Sequence, residues 1–278
     1  MKKETLTIFI FLATLILITV PLIMLTSGAQ TDSFSANVTV GNSAPEITWV
    51  NDSVNASPNA ATTKEIQIRF NATDGNGVSD FNDSTAQTNI SKNGVIRSSH
   101  ICSPAGFVGT MESWLCNVTI YYYDQPGEWV ITAYIEDLGG NYSTNTTSNF
   151  TMGNTDDIDV IETALTFSGS AGENDVAASE NPLTINNTGN QDYTSINMTG
   201  YNLTGGGNTI GATAFAVNIS NSGGPGEALQ HNAPITITDA NLSRGLTEDL
   251  YFFLDIPSGI ANTDYDTGGT PWTIDPVI

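Results

Sequence analysis

The sequence predicts an all-β protein with two β-sandwich (Ig-like) domains in tandem, preceded by an N-terminal hydrophobic leader helix. After the leader, the residues that favour turns (Gly, Asn, Asp and Ser) recur about every ten residues, a spacing typical of short strands. Between these turns apolar residues alternate with polar ones, which favours half-buried strands over helices. About seven such strands fall within residues 43–152, as in an aligned sandwich.

The N-terminus has the composition of an export leader. Lys2-Lys3 precede an apolar run from Leu6 to Leu25, and Ser27-Gly28-Ala29 offers small residues at the −3 and −1 positions of a signal peptidase site. We therefore expect residues 1–29 to be a signal peptide or, because about 20 apolar residues can span a bilayer, an uncleaved membrane anchor. A type IV pilin leader is a poor match, because Glu4-Thr5 follows the basic pair. Contact with the membrane is expected only through this segment.

The segment 30–42 carries a strictly alternating pattern. Phe34, Ala36, Val38 and Val40 place four apolar side chains on one face of an extended chain. One hypothesis is that the segment folds back as the first strand of its own domain, which is predicted to begin near Ser43. The other is that it adds as a donor strand to an open sheet edge of a neighbouring subunit. Strand donation would be a non-closing contact and would produce filaments.

The first predicted domain, 43–152, begins its strands with Glu65–Phe70. Ile66, Ile68 and Phe70 alternate in this strand and are expected to point inward. Asn93-Gly94 lies between two alternating stretches and indicates a two-residue hairpin turn.

A second hairpin is predicted from Trp114 to Glu136. Its strands are Trp114–Tyr123 and Glu128–Glu136, and its turn is Asp124-Gln125-Pro126-Gly127. One face of the second strand carries only apolar side chains and is expected to be buried: Trp129, Ile131, Ala133 and Ile135.

Cys102 and Cys116 are the only two cysteines of the chain. In a chain that leaves the cytoplasm, an isolated pair of this kind predicts a disulfide. A metal site built on the two thiolates would need further ligands, and His100 is the only nearby candidate.

Three turn regions of the first domain resemble a known superfamily. Asp74-Gly75-Asn76-Gly77-Val78-Ser79-Asp80, the stretch Tyr123–Thr132 and Asp137-Leu138-Gly139-Gly140-Asn141 resemble the Ig-like (PKD/cadherin-like) modules repeated in archaeal and bacterial cell-surface proteins. The resemblance covers residues 43–152. The PKD-type pattern Tyr-x-x-x-Pro-Gly-x-Tyr ends in Tyr, whereas this chain has Trp129 at that position. The resemblance is therefore to the superfamily and not to the PKD family. It implies an Ig-like sandwich and no specific function, because such modules serve as spacers, adhesins and enzyme accessories alike.

A polar, acidic linker at 153–159 leads to the second predicted sandwich, 160–278. Gly-, Asn- and Ser-rich turns separate its predicted strands. These strands are Thr163–Phe167, Pro182–Ile185, Tyr193–Leu203, Thr213–Ile219, Pro234–Thr238 and Asp249–Ile256. The turn Asn187-Thr188-Gly189-Asn190, which follows a Pro-Leu-Thr-Ile strand, resembles those of β-sandwich units in archaeal envelope proteins.

Asparagine is unusually often an N-glycosylation acceptor. Of 28 Asn, 15 stand in the N-x-Ser/Thr pattern, where 60 Ser and Thr in 278 residues predict about 6 by chance. They are Asn37, Asn51, Asn55, Asn71, Asn82, Asn89, Asn117, Asn141, Asn145, Asn149, Asn186, Asn197, Asn202, Asn218 and Asn241. The two-residue period of a strand could place Asn and Thr on one face by accident, but it does not explain the choice of Asn, which strands disfavour. We therefore expect covalent N-glycans.

The charge balance excludes some partners. Seven Lys and Arg against 29 Asp and Glu give a net charge of −22. Such a surface repels the phosphates of nucleic acids and anionic lipids. Nucleic acid is therefore not expected as a partner.

The loop Asp74-Gly75-Asn76-Gly77 is the best candidate for a metal site. Asp74, Asn76 and Asp80 place oxygen ligands at i, i+2 and i+6, with glycines at i+1 and i+3. This suits a hard cation such as Ca²⁺, which takes six to eight oxygens. The EF-hand pattern is not completed, because its twelfth position is Thr85, and solvated turns have the same composition. Asp124, Asp137, Asn141 and the linker acids Asp156, Asp157 and Asp159 could approach the same end of the sandwich or the domain junction.

Few residues could support catalysis. The chain has two His, His100 and His231, which are far apart in the sequence, and it lacks a Gly-rich phosphate loop, a redox CxxC and zinc-ligand spacing. No enzymatic activity is expected. Trp114, Trp129 and the run Tyr121–Tyr123 could form a sugar-binding platform, although strand alternation directs at least half of them into the core.

Together these features predict a secreted, extracellular, N-glycosylated protein of a prokaryotic, and by resemblance archaeal, cell envelope with a structural or adhesive role. Its expected partners are other envelope or filament subunits, including copies of itself. The alternatives are a filament subunit assembled by donor-strand exchange and a sugar-binding accessory module.

Overall fold

The computed structural model describes residues 32–51, 55–99, 102–222 and 226–278. Asn42–Ile278 form one compact unit with two separate hydrophobic cores. In these ranges every regular element is a strand apart from two short 3-10 helices, Val78–Asp80 and Ala212–Ala214. The predicted all-β fold is confirmed. The predicted leader, 1–29, and His100 lie outside the described residues, and no helix within those ranges has the length and apolarity to cross a membrane.

The first sandwich consists of two sheets. Its strands are β1 (Glu46–Val50), β2 (Asn55–Ala56), β3 (Thr63–Thr73), β4 (Phe81–Lys92), β5 (Val95–Ser98), β6 (Ser103–Val108), β7 (Met111–Tyr121), β8 (Gly127–Asp137) and β9 (Tyr142–Met152). One sheet has the order β1-β3-β7-β6 and the other β2-β9-β8-β4-β5. The inner faces of both contribute to a single core.

Two local predictions hold in this sandwich. Ile66, Ile68 and Phe70 of β3 are buried, as their alternation predicts. β4 and β5 form a hairpin in which Lys92 pairs with Val95 across the turn Asn93-Gly94. Both turn residues have positive φ, at 49° and 83°, which is the backbone that Asn-Gly tolerates and that the twist of a two-residue hairpin requires.

The predicted hairpin between Trp114 and Glu136 is wrong. β7 pairs with β3 and β6, whereas β8 pairs with β4 and β9, so the two strands lie in opposite sheets. The turn at Asp124–Gly127 therefore crosses from one sheet to the other. The predicted buried face of β8 is nevertheless buried, because alternation reports which side faces the core and does not report which strand is the neighbour.

Aromatic side chains fill the centre of this core. Trp114 stacks on Phe70 with ring centroids 5.1 Å apart and meets Phe81 edge to face at 4.9 Å. Its indole Nε1 donates to Asp83 Oδ1 at 3.0 Å, so the one polar atom of the ring is satisfied. Trp129 is buried in the same core, and both Trp side chains are therefore committed to packing.

The predicted disulfide between Cys102 and Cys116 is confirmed. It joins the residue before β6 to the middle of β7, with the Cα atoms 4.3 Å apart and a sequence separation of 14. Both cysteines are buried in the first core. The bond ties the edge strand β6 to the sheet interior.

Replacing both cysteines with Ala is expected to destabilise the first sandwich by about 3 kcal/mol, the chain-entropy value for a loop of this length. Thermal unfolding of the variant and of the oxidised protein, compared at equal concentration, measures the difference. Peptide mapping without reductant should recover Cys102 and Cys116 as one linked species. Recovery of two free thiols, or equal melting temperatures, would contradict the prediction.

The second sandwich has more and shorter strands. They are β10 (Ile158–Val160), β11 (Val176–Ala177), β12 (Leu183–Asn187), β13 (Ser195–Thr199), β14 (Leu203–Gly205), β15 (Asn208–Ile210), β16 (Phe215–Asn218), β17 (Glu227–Ala228), β18 (Pro234–Ile237), β19 (Thr247–Leu254) and β20 (Thr273–Val277). One sheet has the order β10-β12-β19-β16-β17, with β11 also on β19; a second has the order β18-β13-β20, and β14 pairs with β15.

Several boundaries predicted here need correction. Tyr193–Leu203 is interrupted, with β13 ending at Thr199, and Thr213–Ile219 begins as a 3-10 helix before β16. Thr163–Phe167 is not a strand. Its Thr166 amide donates to Glu180 Oε2 at 2.6 Å instead of to a neighbouring strand. The alternating Leu165 and Phe167 pack against the second core without sheet pairing, so burial alone accounts for the pattern.

The connection from β9 to β10 is held by the turn after β12. The Asn190 and Gly189 amides donate to the carbonyls of Thr155 and Asp157 at 2.9 and 3.0 Å. The buried Asn190 side chain donates to Gly153 O at 2.9 Å and to Asp124 O at 3.1 Å, and accepts from Thr155 N at 2.7 Å. One side chain thus joins the first sandwich, the connection and the second sandwich.

Candidate functional site

An acidic cluster lies at one end of the first sandwich. Asp74 follows β3, Asp80 ends the 3-10 turn before β4, and Asp137 ends β8. One carboxylate oxygen from each lies within 4.8 Å of the others. The structure thus brings together two of the predicted ligands, Asp74 and Asp80, and adds Asp137. Asp124 is not a member, because its carboxylate binds Arg97 Nε at 3.0 Å.

Asn76, the third predicted ligand, has a different contact. Its side-chain oxygen accepts from the Ser43 amide at 2.7 Å and from Ser43 Oγ at 2.9 Å. Its own amide donates to Asp74 Oδ1 at 2.7 Å. Asn76 therefore holds the chain before β1 against the loop and orients the Asp74 carboxylate.

Asp137 is held by donors from two sides. Asn141 N and Nδ2 donate to its carboxylate at 2.8 and 3.0 Å, and Asn42 Nδ2 donates at 3.0 Å. Burial opposes ionisation of this carboxyl, but the hydrogen bonds from Asn141, Asn42 and Gly139 outweigh it and hold the pKa of Asp137 below its ordinary value. Asp137 is a preformed carboxylate that faces its two acidic neighbours.

Asp74 and Asp80 each have one oxygen that no such donor reaches. Asp74 is only 2% exposed, and its Oδ2, like Asp80 Oδ2, is a buried oxygen without a hydrogen-bond partner. Loss of hydration and the negative charges of Asp74 and Asp137 raise the pKa of Asp80. The two ion pairs among the described residues lie elsewhere, at Arg97–Asp124 and Arg244–Asp192.

This donor set fits a hard divalent cation. Buried carboxylates without a partner are costly, and a cation between them would offset both the lost hydration and the mutual repulsion. All the ligands on offer are oxygens, which suits Ca²⁺ or Mg²⁺ and does not suit Zn²⁺. The residues that would hold it are Asp74, Asp80 and Asp137, and two of their oxygens have no other partner in the fold.

The predicted glycosylation sites have a common location. None of the fifteen sequon asparagines is buried. Of these, Asn37, Asn55, Asn117, Asn141, Asn149 and Asn241 are exposed, and the others are half-buried. Two buried asparagines occur among the described residues, Asn187 and Asn190, and neither starts a sequon. Sequon asparagines and buried asparagines are therefore separate sets.

Some sequons have an ordered local geometry. In Asn82-Asp83-Ser84 the Ser84 hydroxyl donates to Asn82 Oδ1 at 2.6 Å, and in Asn145-Thr146-Thr147 the Thr147 hydroxyl donates to Asn145 Oδ1 at 2.8 Å. Each acceptor side chain is thus oriented by the hydroxyl of its own sequon, a local contact typical of Asx turns. Asn141 Nδ2 donates to Asp137 Oδ2 at 3.0 Å, and Asn145 Nδ2 donates to the Ile47 carbonyl at 3.5 Å.

The aromatic residues considered as a sugar platform do not form one together. Trp114 and Trp129 are buried. Tyr121 and Tyr123 stack on each other at 5.3 Å, and the Arg97 guanidinium lies 4.6 Å from the Tyr121 ring centre. These tyrosines therefore belong to a packed cluster with Arg97.

His231 lies in an exposed loop, where its Nδ1 accepts a hydrogen bond from the Asn202 amide at 3.1 Å. This contact gives the imidazole a structural role at a turn. The absence of enzymatic activity stays a prediction.

The alternating N-terminal segment lies outside the strands. Residues 32–45 have no regular secondary structure. Phe34, Val38 and Val40 are 92%, 82% and 80% exposed, and Ala36 is also exposed. The segment presents its apolar row to solvent.

Comparisons with known proteins add little. No protein-family model and no curated protein matches the chain. Among solved structures it is similar to the crystal structure of dimeric latent PorU from Porphyromonas gingivalis, with 14% identity and a TM-score of 0.29 over 89% of this chain and 21% of that chain. The chain spans about a fifth of the length of that protein. A similarity of this size carries no inference about function.

Proposed function

We propose that the protein is an exported, N-glycosylated structural component of a prokaryotic cell surface, without catalytic activity. The observation that carries the proposal is the separation of its asparagines: none of the fifteen asparagines that start a sequon is buried, and neither of the two buried asparagines starts one. A large polar glycan can be attached only where the acceptor side chain reaches solvent. The disulfide and the net charge of −22 suit an oxidising exterior and a soluble surface.

Glycosylation is tested by the mass of each sequon peptide from protein purified from its native cells. We expect attached glycan at several sequons, with the highest occupancy at exposed positions such as Asn117 and Asn241. Asn93, an exposed asparagine in the turn between β4 and β5 that does not start a sequon, is the internal control and should be unmodified. An intact mass equal to that of the bare polypeptide would refute the proposal.

A bound cation is part of the same proposal. The unpartnered buried oxygens of Asp74 and Asp80 favour a Ca²⁺ ion that fastens the loop before β4 to the end of β8. The role of the ion is structural, because its ligands come from the ends of strands in different sheets. β3 belongs to one sheet of the first sandwich, and β4 and β8 belong to the other. Holding these strand ends together would keep an extracellular sandwich closed where calcium is abundant.

A further inference from the structure

The second sandwich contains an apolar groove of about 690 Å³. Both sheets and the non-strand stretch after β10 line it, through Leu165, Phe167, Leu183, Met198, Trp272 and Ile274. Acidic side chains, Glu162 and Asp266, are also among its lining. Its volume lies in the range of pockets that take ligands or side chains of a partner.

The groove lies beside open sheet edges. Within the described ranges, β20 pairs only with β13, and β10 pairs only with β12, so each is the outer strand of its sheet. Ile274 of β20 and Val160 of β10 both line the groove. An edge strand with free backbone groups beside an apolar groove is the arrangement that accepts an added strand, because main-chain hydrogen bonds and side-chain pockets are available together.

The same chain supplies a segment with the matching pattern. Phe34, Ala36, Val38 and Val40 alternate along seven residues and are exposed. No charged side chain occurs from Ser33 to Gly41. In a protein of net charge −22, most surfaces repel a second copy, whereas this uncharged segment can approach the acidic rim of the groove without repulsion.

We propose that the groove of one molecule binds the segment Phe34–Val40 of a second copy, which pairs with β20 and places its apolar side chains in the groove. This inference rests on the proposed function, since the segment must be exported with the sandwiches. Each molecule then carries one donor and one acceptor, and the contact is heterologous and non-closing. It links copies head to tail into a fibre.

The test uses the full chain, produced in a secreting host and purified in the form that the host exports. One preparation carries Val38→Cys and another carries Ala164→Cys, an exposed position that lines the groove. Mild oxidation of the mixture should give a disulfide-linked pair of chains. Val108→Cys, an exposed apolar position on β6, replaces Ala164→Cys as the matched control and should give no linked pair.

A second comparison places one added charge on either face of the segment. Val38→Asp would bury a carboxylate in the groove and should lower the linked fraction, probed through Ala36→Cys, by about tenfold or more. Ser35→Asp adds the same charge on the opposite face of the segment and should leave the linked fraction unchanged. Equal melting temperatures establish that both variants fold.

Three results would overturn the proposal: no linked pair with Ala164→Cys, equal linking to Val108→Cys, or equal losses from Val38→Asp and Ser35→Asp. A chain carrying both Val38→Cys and Ala164→Cys that closes only within itself would show that the segment fills its own groove, and would also overturn it. Glycopeptide masses from the same samples test the proposed function separately. The proposed function and the proposed strand contact can therefore fail independently.

Discussion

Millimolar calcium is expected to raise the melting temperature of the protein by about 10 °C relative to the protein in chelator. A ligand that binds only the folded state stabilises it by RT ln(1 + [L]/Kd), which is about 4 kcal/mol when the ion is present at a thousandfold excess over Kd. Asp74→Asn should abolish the shift, because it removes the charge of a buried carboxylate that has one oxygen without a hydrogen-bond partner in the cluster. Differential scanning calorimetry measures the melting temperatures of the unsubstituted protein and of Asp74→Asn, each in calcium and in chelator.

The same variant has an opposite effect in chelator. Removing one of three facing carboxylates relieves repulsion, so Asp74→Asn without calcium should melt at or above the temperature of the unsubstituted protein. Asp159→Asn removes an exposed charge from β10 and should leave the calcium shift intact. Melting curves that do not differ between calcium and chelator would exclude a site of better than millimolar affinity.

The calcium shift should also depend on pH. The pKa of Asp80 is raised above its ordinary value, so its proton competes with the cation at a higher pH than at an ordinary aspartate. Proton binding to Asp80 favours the folded state without calcium, whereas calcium requires the ionised carboxylate. The shift should therefore be full near neutral pH and shrink as the pH falls through the raised pKa of Asp80. A calcium shift of the same size at neutral and at acidic pH would contradict this assignment.

Asn190→Ala is expected to destabilise the protein by about 4 kcal/mol, because it leaves buried partners unsatisfied and each costs about 1–3 kcal/mol. The lost contacts are those to Gly153 O, Asp124 O and Thr155 N. Since these contacts span the first sandwich, the connection and the second sandwich, we expect the unsubstituted protein to unfold in one transition and Asn190→Ala to unfold in two.

Asn154→Ala is the matched control for this junction. Asn154 is exposed in the same connection, and its replacement should leave one transition at an unchanged temperature. Gly189→Ala offers an independent test, because an added Cβ would overlap the Thr155 carbonyl, and it should destabilise in the same manner. An Asn190→Ala protein that melts like Asn154→Ala would show that the hydrogen bonds at the junction contribute little.

Local patterns in the sequence were enough for much of the fold. The alternation at Ile66, Ile68 and Phe70 identified a buried face, and Asn93-Gly94 identified a two-residue hairpin, because both depend only on the period of a strand and on backbone preferences of neighbouring residues. The disulfide was predicted from the two cysteines of a chain expected to be exported. These are properties of residues close in sequence or of composition.

Strand partners were decided only in three dimensions. β7 and β8 follow each other across a short turn and yet lie in opposite sheets. Alternation is the same whether the next strand pairs or crosses over, since it reports only the side that faces the core. For the same reason Leu165 and Phe167 suggested a strand although Glu180 satisfies the backbone between them.

The candidate site shows the same division. The sequence by itself determined that Asp74 and Asp80 share one glycine-rich loop and that fifteen asparagines stand in the N-x-Ser/Thr pattern. Only the tertiary structure decided that Asp137, 57 residues beyond Asp80 in the chain, completes the cluster, that Asn76 binds Ser43, and that none of the sequon asparagines is buried. Ligand geometry and burial arise from contacts between strands distant in sequence, and a local pattern carries no record of those contacts.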